Sequence, residues 1–393
     1  MRRFIYLDHN STAPMLPAVA NKMTDCFTAG FVNPASQHRL GQMARKHLED
    51  SRRKIARILG AKTTGMDTDQ LIFTSGGTES NNLALLGLAN SLDSKSASNP
   101  DLFTPHHILV SSIEHPSVIG AAEQLVRLGH TVDKIPVDSQ GVCRLNQLEA
   151  MITDQTKLVS LMLANNETGV VQPVNKVAKI CRDRGVLFHT DAVQAVGKIP
   201  VHFRDLSVDA LSFTGHKFGG PRGIGGLILR HGLMLAPLLF GGFQQMALRP
   251  GTEDVAIVAG METALEIFFL NKDEYYSEIL LLRNHLEKTL LSRFPSLVIN
   301  GSGATRLPHV SNLSFLGVDR QSFLMAADIE GLAISTGSAC ASGSSELSPV
   351  LLAMGLDKNI VENSVRLSLG VSNTREEIDE TIEIISRVLT QLK

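Results

Sequence analysis

Short apolar runs alternate with helix-patterned stretches along the first two-thirds of the chain, and no other feature restricts the fold as much. Residues 70–74 (QLIFT), 108–112 (ILVSS), 158–163 (LVSLML), 186–190 (VLFHT), 210–214 (ALSFT) and 226–229 (GLIL) read as strands. Most are apolar on both faces, as buried parallel strands are. Between them, residues 80–91, 117–128 and 174–185 carry apolar side chains at helical spacing, and the last stretch ends on Gly185, a residue suited to a helix C-terminus. Strand–helix–strand alternation predicts an α/β fold with a mostly parallel sheet covered on both faces.

Residues 93–104 (DSKSASNPDLFT) are polar, include Pro100 and read as a surface loop. After Gly260 the texture changes. A long helix pattern covers 261–294, short strand-like pieces follow at 311–315 and 332–335, and a last helix covers 376–392. With 393 residues, one core is unlikely to hold the whole chain. A boundary near Gly260 is expected, giving a large unit of residues 14–260 and a smaller one of 1–13 with 261–393.

Composition narrows the class. Hydrophobic residues make up 43% and charged residues 19%, which describes a globular protein and excludes disorder. A net charge of −2, no Trp and three Tyr argue against a nucleic-acid or anionic-membrane binder. Cys26, Cys143, Cys181 and Cys340 form no C-x-x-C pair, so neither a disulfide framework nor a Cys-rich zinc site is expected. The opening MRRFIYLD meets Asp8 before any long apolar run, and no stretch approaches the roughly 18 apolar residues of a membrane span. A reduced, cytoplasmic, soluble enzyme is the expectation.

Four segments carry chemistry. Ser75-Gly76-Gly77-Thr78-Glu79-Ser80-Asn81 follows a strand and opens a helix, so its first N–H groups and the Thr78 hydroxyl make an anion site or a plain glycine turn. It lacks the Lys of a P-loop and the spacing of a dinucleotide fingerprint. His189-Thr190-Asp191-Ala192-Val193-Gln194 ends a strand and puts an acid at the carboxyl edge of the sheet, where such folds bind ligands; the plain alternative is an N-cap. A metal at His189 and Asp191 lacks local partners. Ser212-Phe213-Thr214-Gly215-His216-Lys217-Phe218-Gly219-Gly220-Pro221 sets a lysine just after another strand, as a nucleophile toward aldehydes or as an exposed loop residue. Gly337-Ser338-Ala339-Cys340-Ala341-Ser342-Gly343-Ser344-Ser345 surrounds one thiol with small residues, an expected mobile and accessible loop, whereas the other three cysteines fit structural or surface roles.

Taken together, these segments resemble the cysteine desulfurases, pyridoxal-phosphate enzymes of the aspartate-aminotransferase fold. The resemblance runs end to end. It includes Tyr6-Leu7-Asp8, Asn33-Pro34-Ala35-Ser36, the 75–81 turn, Glu114-His115, Asn165-Asn166-Glu167-Thr168-Gly169, Asp191-Ala192-Val193-Gln194, Gly215-His216-Lys217, Arg249-Pro250-Gly251-Thr252, the 337–342 segment and Arg366-Leu367-Ser368-Leu369-Gly370. The Gly-Ser-Ala-Cys form followed by a long small-residue loop looks like the housekeeping and nitrogen-fixation branch.

The resemblance implies fold type I: a large domain with a mostly parallel seven-stranded sheet and a smaller α+β C-terminal domain. It implies that Lys217 would take the cofactor aldehyde and later move the Cα proton, that Asp191 would pair with the pyridine nitrogen, and that Gln194 would bond the phenolate oxygen. His115 would stack on the ring and shuttle protons, beside Asn166. Gly77, Thr78, Thr214 and His216 would hold the phosphate, with Thr214 standing where Ser is usual. Thr252 would reach the phosphate of a second subunit in a homodimer, and Arg366 would clamp the substrate carboxylate, helped by Asn166. Cys340 would accept sulfur from L-cysteine, releasing alanine, and pass the persulfide to an Fe–S scaffold or thiolation protein. Selenocysteine lyase, β-elimination and aminotransferase chemistry remain open on the same fold, although an aminotransferase needs no thiol loop. A non-catalytic sulfur-relay subunit would tolerate loss of Lys217 or Asp191, and both are present.

Overall fold

The computed structural model describes residues 4–92, 104–337 and 346–392. The expected loop at 93–104 therefore lies almost wholly outside the described residues. The chain opens with a two-residue strand, β1 (Ile5–Tyr6), and then builds a large sheet from β2 (Gln70–Thr74), β3 (His107–Ser111), β4 (Thr131–Ile135), β5 (Thr156–Ser160), β6 (Leu187–Asp191), β7 (Ala210–Thr214) and β8 (Gly225–Leu229). The order is β2-β8-β7-β6-β5-β3-β4, and only β8 runs against its neighbours. This is the mostly parallel sheet that the alternation predicts, with ends displaced by up to three residues. Leu161 and Leu163 lie past the end of β5, yet their N–H groups still bond the His189 and Asp191 carbonyls.

One strand has no counterpart in the apolar runs. In β4 (TVDKI) only Ile135 is buried. Asp133 and Lys134 guard that sheet edge against pairing with another chain, and the same charges hide the strand from a hydrophobic pattern. At the opposite edge, the Gln245 side chain meets both free backbone groups of Phe73, accepting from its N–H (2.7 Å) and donating to its carbonyl (2.8 Å).

Both faces of the sheet are covered. One core takes the helices Arg39–Ile58 and Val174–Asp183 with Phe188, Phe213 and Val159. The other takes the helices Gly77–Leu92 and Pro116–Arg127 with Ile72, Ile108 and Leu227. The C-terminal third adds β9 (Leu297–Ile299), β10 (Val310–Phe315), β11 (Leu332–Ala333) and β12 (Ser364–Ser368). Strands β12-β10-β9 form an antiparallel sheet, and β11 pairs with β1. Their separate core includes Ile5 and Leu7 from the other end of the chain. The helix Val255–Arg293 joins the two: Val255, Val258, Met261, Ala264 and Leu265 pack in the first core, and Ile279, Leu286 and Leu290 pack in the second. Among the described residues, no helix is long and apolar enough to cross a membrane.

The start of β8 sets the shape of the carboxyl edge. Gly225 faces both Thr74 and Thr214. A Cβ at Gly225 would lie 2.6 Å from the Gly76 carbonyl carbon. Only glycine lets that strand approach the turn so closely. Gly225→Ala should therefore displace the turn and destabilise the protein by about 1–3 kcal/mol. Chemical denaturation of the cofactor-free protein measures this, and an unchanged midpoint would show that the approach is not limiting.

Candidate active site

The carboxyl ends of β2, β6 and β7 and the start of β8 meet at one rim. After Thr74 the chain turns through Ser75 and Gly76 into the helix Gly77–Leu92, whose first N–H groups have no carbonyl partner within the helix. They open on a cleft of about 420 Å³ lined by Thr12, Gly76, Gly77, Thr78, Thr214, His216 and Arg222. A Cβ on Gly77 would press within 2.8 Å of Val193, so a glycine is required at the helix start. A helix N-terminus, hydroxyls, a histidine and an arginine make a site for a doubly charged oxyanion. The motif residues Gly77, Thr78, Thr214 and His216 come together here, with Arg222 and Thr12 as additions that the sequence reading did not single out. The Thr214 hydroxyl donates to the Ile224 carbonyl at 2.8 Å. Burial, with the charges of Lys217 and Arg222, pulls His216 down to about 4, so its ring is neutral near pH 7.

Asp191, at the end of β6, is 5% exposed. One carboxylate oxygen accepts from the Val193 N–H (2.9 Å) and the other from the Asn81 amide (2.7 Å). Asn81 also donates to the Ser117 hydroxyl (2.9 Å), which sits 2.8 Å from His115 Nδ1. The Ser117 N–H donates to that same nitrogen, so His115 caps the helix Pro116–Arg127. His115 is thus linked to Asp191 through Ser117 and Asn81. An Nδ1 that accepts leaves the ring proton on Nε2. Burial lowers the His115 pKa, with Asp191 pulling it up and Lys217 pushing it down. Asn81 and Ser117 were missed as site residues because only the three-dimensional fold joins them to Asp191.

Lys217 closes the turn after β7, and its amine donates to the Asn10 carbonyl (2.6 Å) and the Ser11 carbonyl (2.9 Å). Gln194 donates to that same Asn10 carbonyl (3.1 Å), while its own amide oxygen is buried without a partner among the described residues. Asn10 is the largest omission of the sequence reading. Its amide donates to the Asn166 carbonyl (2.9 Å) and accepts from His309 (2.7 Å), and its N–H bonds Ser368 Oγ (2.9 Å).

Arg366, on β12, is 2% exposed. Nη2 bonds Asp8 (2.6 Å) and Ser11 Oγ (3.1 Å), and Nη1 bonds the carbonyls of Asn166 (3.1 Å) and Gly337 (3.3 Å). The expected open fork is thus already engaged, and only Nε is buried without a partner among the described residues. Asn166 and His115 line a second cavity of about 430 Å³ with Glu114, Glu167, Gly337 and Leu347. Glu114 accepts from the Met162 N–H (2.7 Å), and burial, then Asp191, hold its carboxyl well above the usual range.

One of the expected site residues lies apart. Thr252 is exposed and lines a different recess with Asn33, Pro34 and Asp254, away from the anion cleft. Cys340 lies outside the described residues. Cys26, Cys143 and Cys181 are free and buried; burial pushes Cys143 and Cys181 up to about 12. His189 is fully buried between Ser160 and Ser212, each 2.9 Å away, and no group of metal-ligating side chains forms among the described residues.

Residues 5–381 match the family described as aminotransferase class-V. The chain is 38% identical over its whole length to "Cysteine desulfurase IscS" of Dictyoglomus turgidum, of which it covers 96%. Among solved structures it resembles a "NifS-like protein" with a TM-score of 0.89 and 33% identity, over 99% of this chain and all of that one. It also resembles "SspA in complex with cysteine", with a TM-score of 0.79 and 30% identity over 93% of this chain and 98% of that one.

The buried histidine behind Asp191 makes a prediction about pH. Burial holds His189 at about 3, against about 6.5 for an unfolded chain. Between those values the unfolded chain binds the extra proton, so His189 costs stability as pH falls. His189→Gln should therefore gain on the wild type by up to about 1.4 kcal/mol per pH unit from pH 6 to pH 4. Parallel denaturation curves across that range would show that His189 is protonated in the fold.

Proposed function

The chain belongs to the class-V aminotransferase family and is a pyridoxal-phosphate-dependent cysteine desulfurase, and from that premise we propose that it holds the sulfur of L-cysteine as a persulfide on Cys340 while the carbon skeleton leaves as L-alanine. The observation that carries the residue assignment is the meeting of Asp191, Lys217, His115 and the anion cleft on one rim of one sheet, with Arg366 reaching in from the smaller core.

The donor set fits the cofactor. The helix N-terminus, Thr78, Thr214 and His216 suit its phosphate; the Thr214 hydroxyl turns from Ile224 to do so. Asp191, oriented by Asn81 and Val193, suits a protonated pyridine nitrogen. The second amide hydrogen of Gln194 suits the phenolate oxygen. Once bound, the cofactor supplies an aldehyde that exchanges amines and a ring that withdraws electrons from the substrate Cα.

The remaining work falls to side chains. Lys217 Nζ, oriented by the Asn10 and Ser11 carbonyls, takes the Cα proton. His115 donates from Nε2, its other nitrogen held by Ser117. Arg366 Nε meets the substrate carboxylate beside Asn166. The Cys340 thiolate attacks the cysteine sulfur, the Cβ–S bond breaks, and the carbon keeps the electron pair and takes a proton. One cysteine and one thiol thus give one alanine and one persulfide.

A second copy of the chain completes the site. Phe240 and Phe243 are 87% and 93% exposed, and Met246 is 65% exposed, in the stretch leading to Thr252. So large an apolar patch needs a cover, and a homodimer sets Thr252 beside the partner's phosphate. The persulfide then passes to a protein thiol, an Fe–S scaffold or a thiolation protein, in a reducing cytoplasm. The cofactor-bearing unit is residues 14–260, and residues 1–13 with 261–393 form the smaller unit that carries Cys340.

Three experiments test this reading. Lys217→Ala should lose the visible absorbance of the bound cofactor and about a thousandfold or more of turnover, yet keep its far-ultraviolet dichroism. Cys340→Ala should stay coloured and bind cysteine, but make neither alanine in the first turnover nor an extra sulfur on the protein by mass spectrometry. Normal alanine from Cys340→Ala would overturn the assignment. In a mixed dimer of a Lys217→Ala chain and a Thr252→Ala chain, one site should be doubly damaged and the other intact, giving about half the wild-type rate. Two impaired sites, one lacking only Lys217 and the other only Thr252, would put the Thr252 contact within one chain.

A further inference from the structure

Glu167 belongs to the Asn165–Gly169 motif but has no part in the mechanism above. Its carboxyl group is 3% exposed, far from what an idle glutamate adopts. Oε2 accepts from the Ser348 hydroxyl at 2.6 Å. Ser348 is fully buried and caps the helix Pro349–Ala353, its oxygen accepting from the Leu351 N–H at 3.1 Å. That same oxygen also faces Gly337. That glycine has φ +91°, and a Cβ on it would lie 3.1 Å from Oε2. One carboxyl group therefore lies against both residues that flank the Cys340 stretch, Gly337 before it and Ser348 after it.

The backbone around Glu167 is fixed in turn. The Asn165 side chain accepts from the Glu167 and Thr168 N–H groups at 2.9 Å each, and Asn312 donates to the Glu167 carbonyl at 3.3 Å. Arg366 bridges the Asn166 and Gly337 carbonyls, so the loop that presents Asn166 to the substrate also holds Gly337. Burial raises the Glu167 pKa, opposed by Ser348, Arg366 and Arg320. A leucine or methionine in this place would bury more cheaply. A carboxyl group kept here is doing something that packing alone does not need.

We infer that Glu167 is a positioning residue for sulfur transfer: through Ser348 and Gly337 it sets the two ends of the Cys340 stretch relative to Arg366 and Asn166. Its removal should impair persulfide formation far more than it impairs cysteine binding.

This inference rests on the assignment of Cys340 as sulfur acceptor. The test uses the holoenzyme with three variants: Glu167→Ala, Ser348→Ala and Glu167→Gln. Two quantities are read for each, namely the cysteine affinity from the spectral change on binding, and the rate of persulfide formation on Cys340 in a single turnover by rapid quench and mass spectrometry. Glu167→Ala and Ser348→Ala should each lower the persulfide rate about tenfold or more, with affinity changed less than about threefold. Glu167→Gln, whose amide oxygen still accepts from Ser348, should restore most of the rate. If Glu167→Ala fails to fold, Ser348→Ala carries the test. A wild-type rate in Ser348→Ala, an equal fall of binding and transfer, or a Gln variant as slow as Ala would each overturn the inference. Absence of sulfur from Cys340 in the wild type would instead overturn the acceptor assignment.

Discussion

The Asn10 peptide carries more of the site than any strand. Its carbonyl takes the Lys217 amine and the Gln194 amide, its side chain joins Asn166 to His309, and its N–H reaches Ser368. Five segments of the chain thus depend on one residue that belongs to no strand or helix. The arrangement follows from the chain's path. Ile5 and Leu7 are buried in the smaller core, so the next residues must cross back toward the large sheet. A crossing segment has buried backbone groups and no ladder to satisfy them. Side chains of the site satisfy them instead, and in doing so are themselves held in place.

Neutralised histidines are the second constraint on this interior. His9, His189 and His216 are pushed down to about 3, 3 and 4 by burial first, with nearby lysines adding to the effect at His9 and His216. Each is then a dipole rather than a charge near pH 7. Other polar groups inside are paired: Asp191 with Asn81 and the Val193 N–H, Arg366 with Asp8. An interior built this way concentrates the field of a few charges on the rim, where low dielectric makes each count for more. Glu114 follows the same logic, because Asp191 beside it favours its protonated form.

The sequence displayed what has a local period and hid what does not. Six of the seven strands of the large sheet were legible because buried parallel strands are apolar on both faces; β4 was not, because an edge strand that resists aggregation looks like a loop. The glycine turn, Asp191 and Lys217 were legible because each sits at the end of such a strand, where the chain must turn. Asn81, Ser117 and Asn10 were not. Their bonds join residues separated by 110, 36 and up to 358 positions, and nothing near them in the chain marks the partner. The engagement of Arg366 was hidden for the same reason. A lone arginine in the sequence looks like an open fork, and only the fold brings Asp8 to it.

That engagement bears on how the enzyme handles its product. Arg366 shares its charge with Asp8 at 2.6 Å and gives its remaining terminal donors to the Ser11 hydroxyl and two backbone carbonyls. Under the proposed reading, a substrate carboxylate meets a guanidinium that is already partly neutralised and finds one buried donor, Nε, waiting. Such a clamp orients more than it attracts, since the net field at the carboxylate is that of a pair rather than of a free cation. Cysteine and alanine carry the same carboxylate, so every increment of attraction there would hold the product as firmly as the substrate. Uniform binding of that kind does nothing for the chemical step and slows release. The discrimination between the two must come from the side chain, at the sulfur. That end of the site is bounded by Glu167, Gly337 and Leu347, where the chain enters and leaves the stretch bearing Cys340.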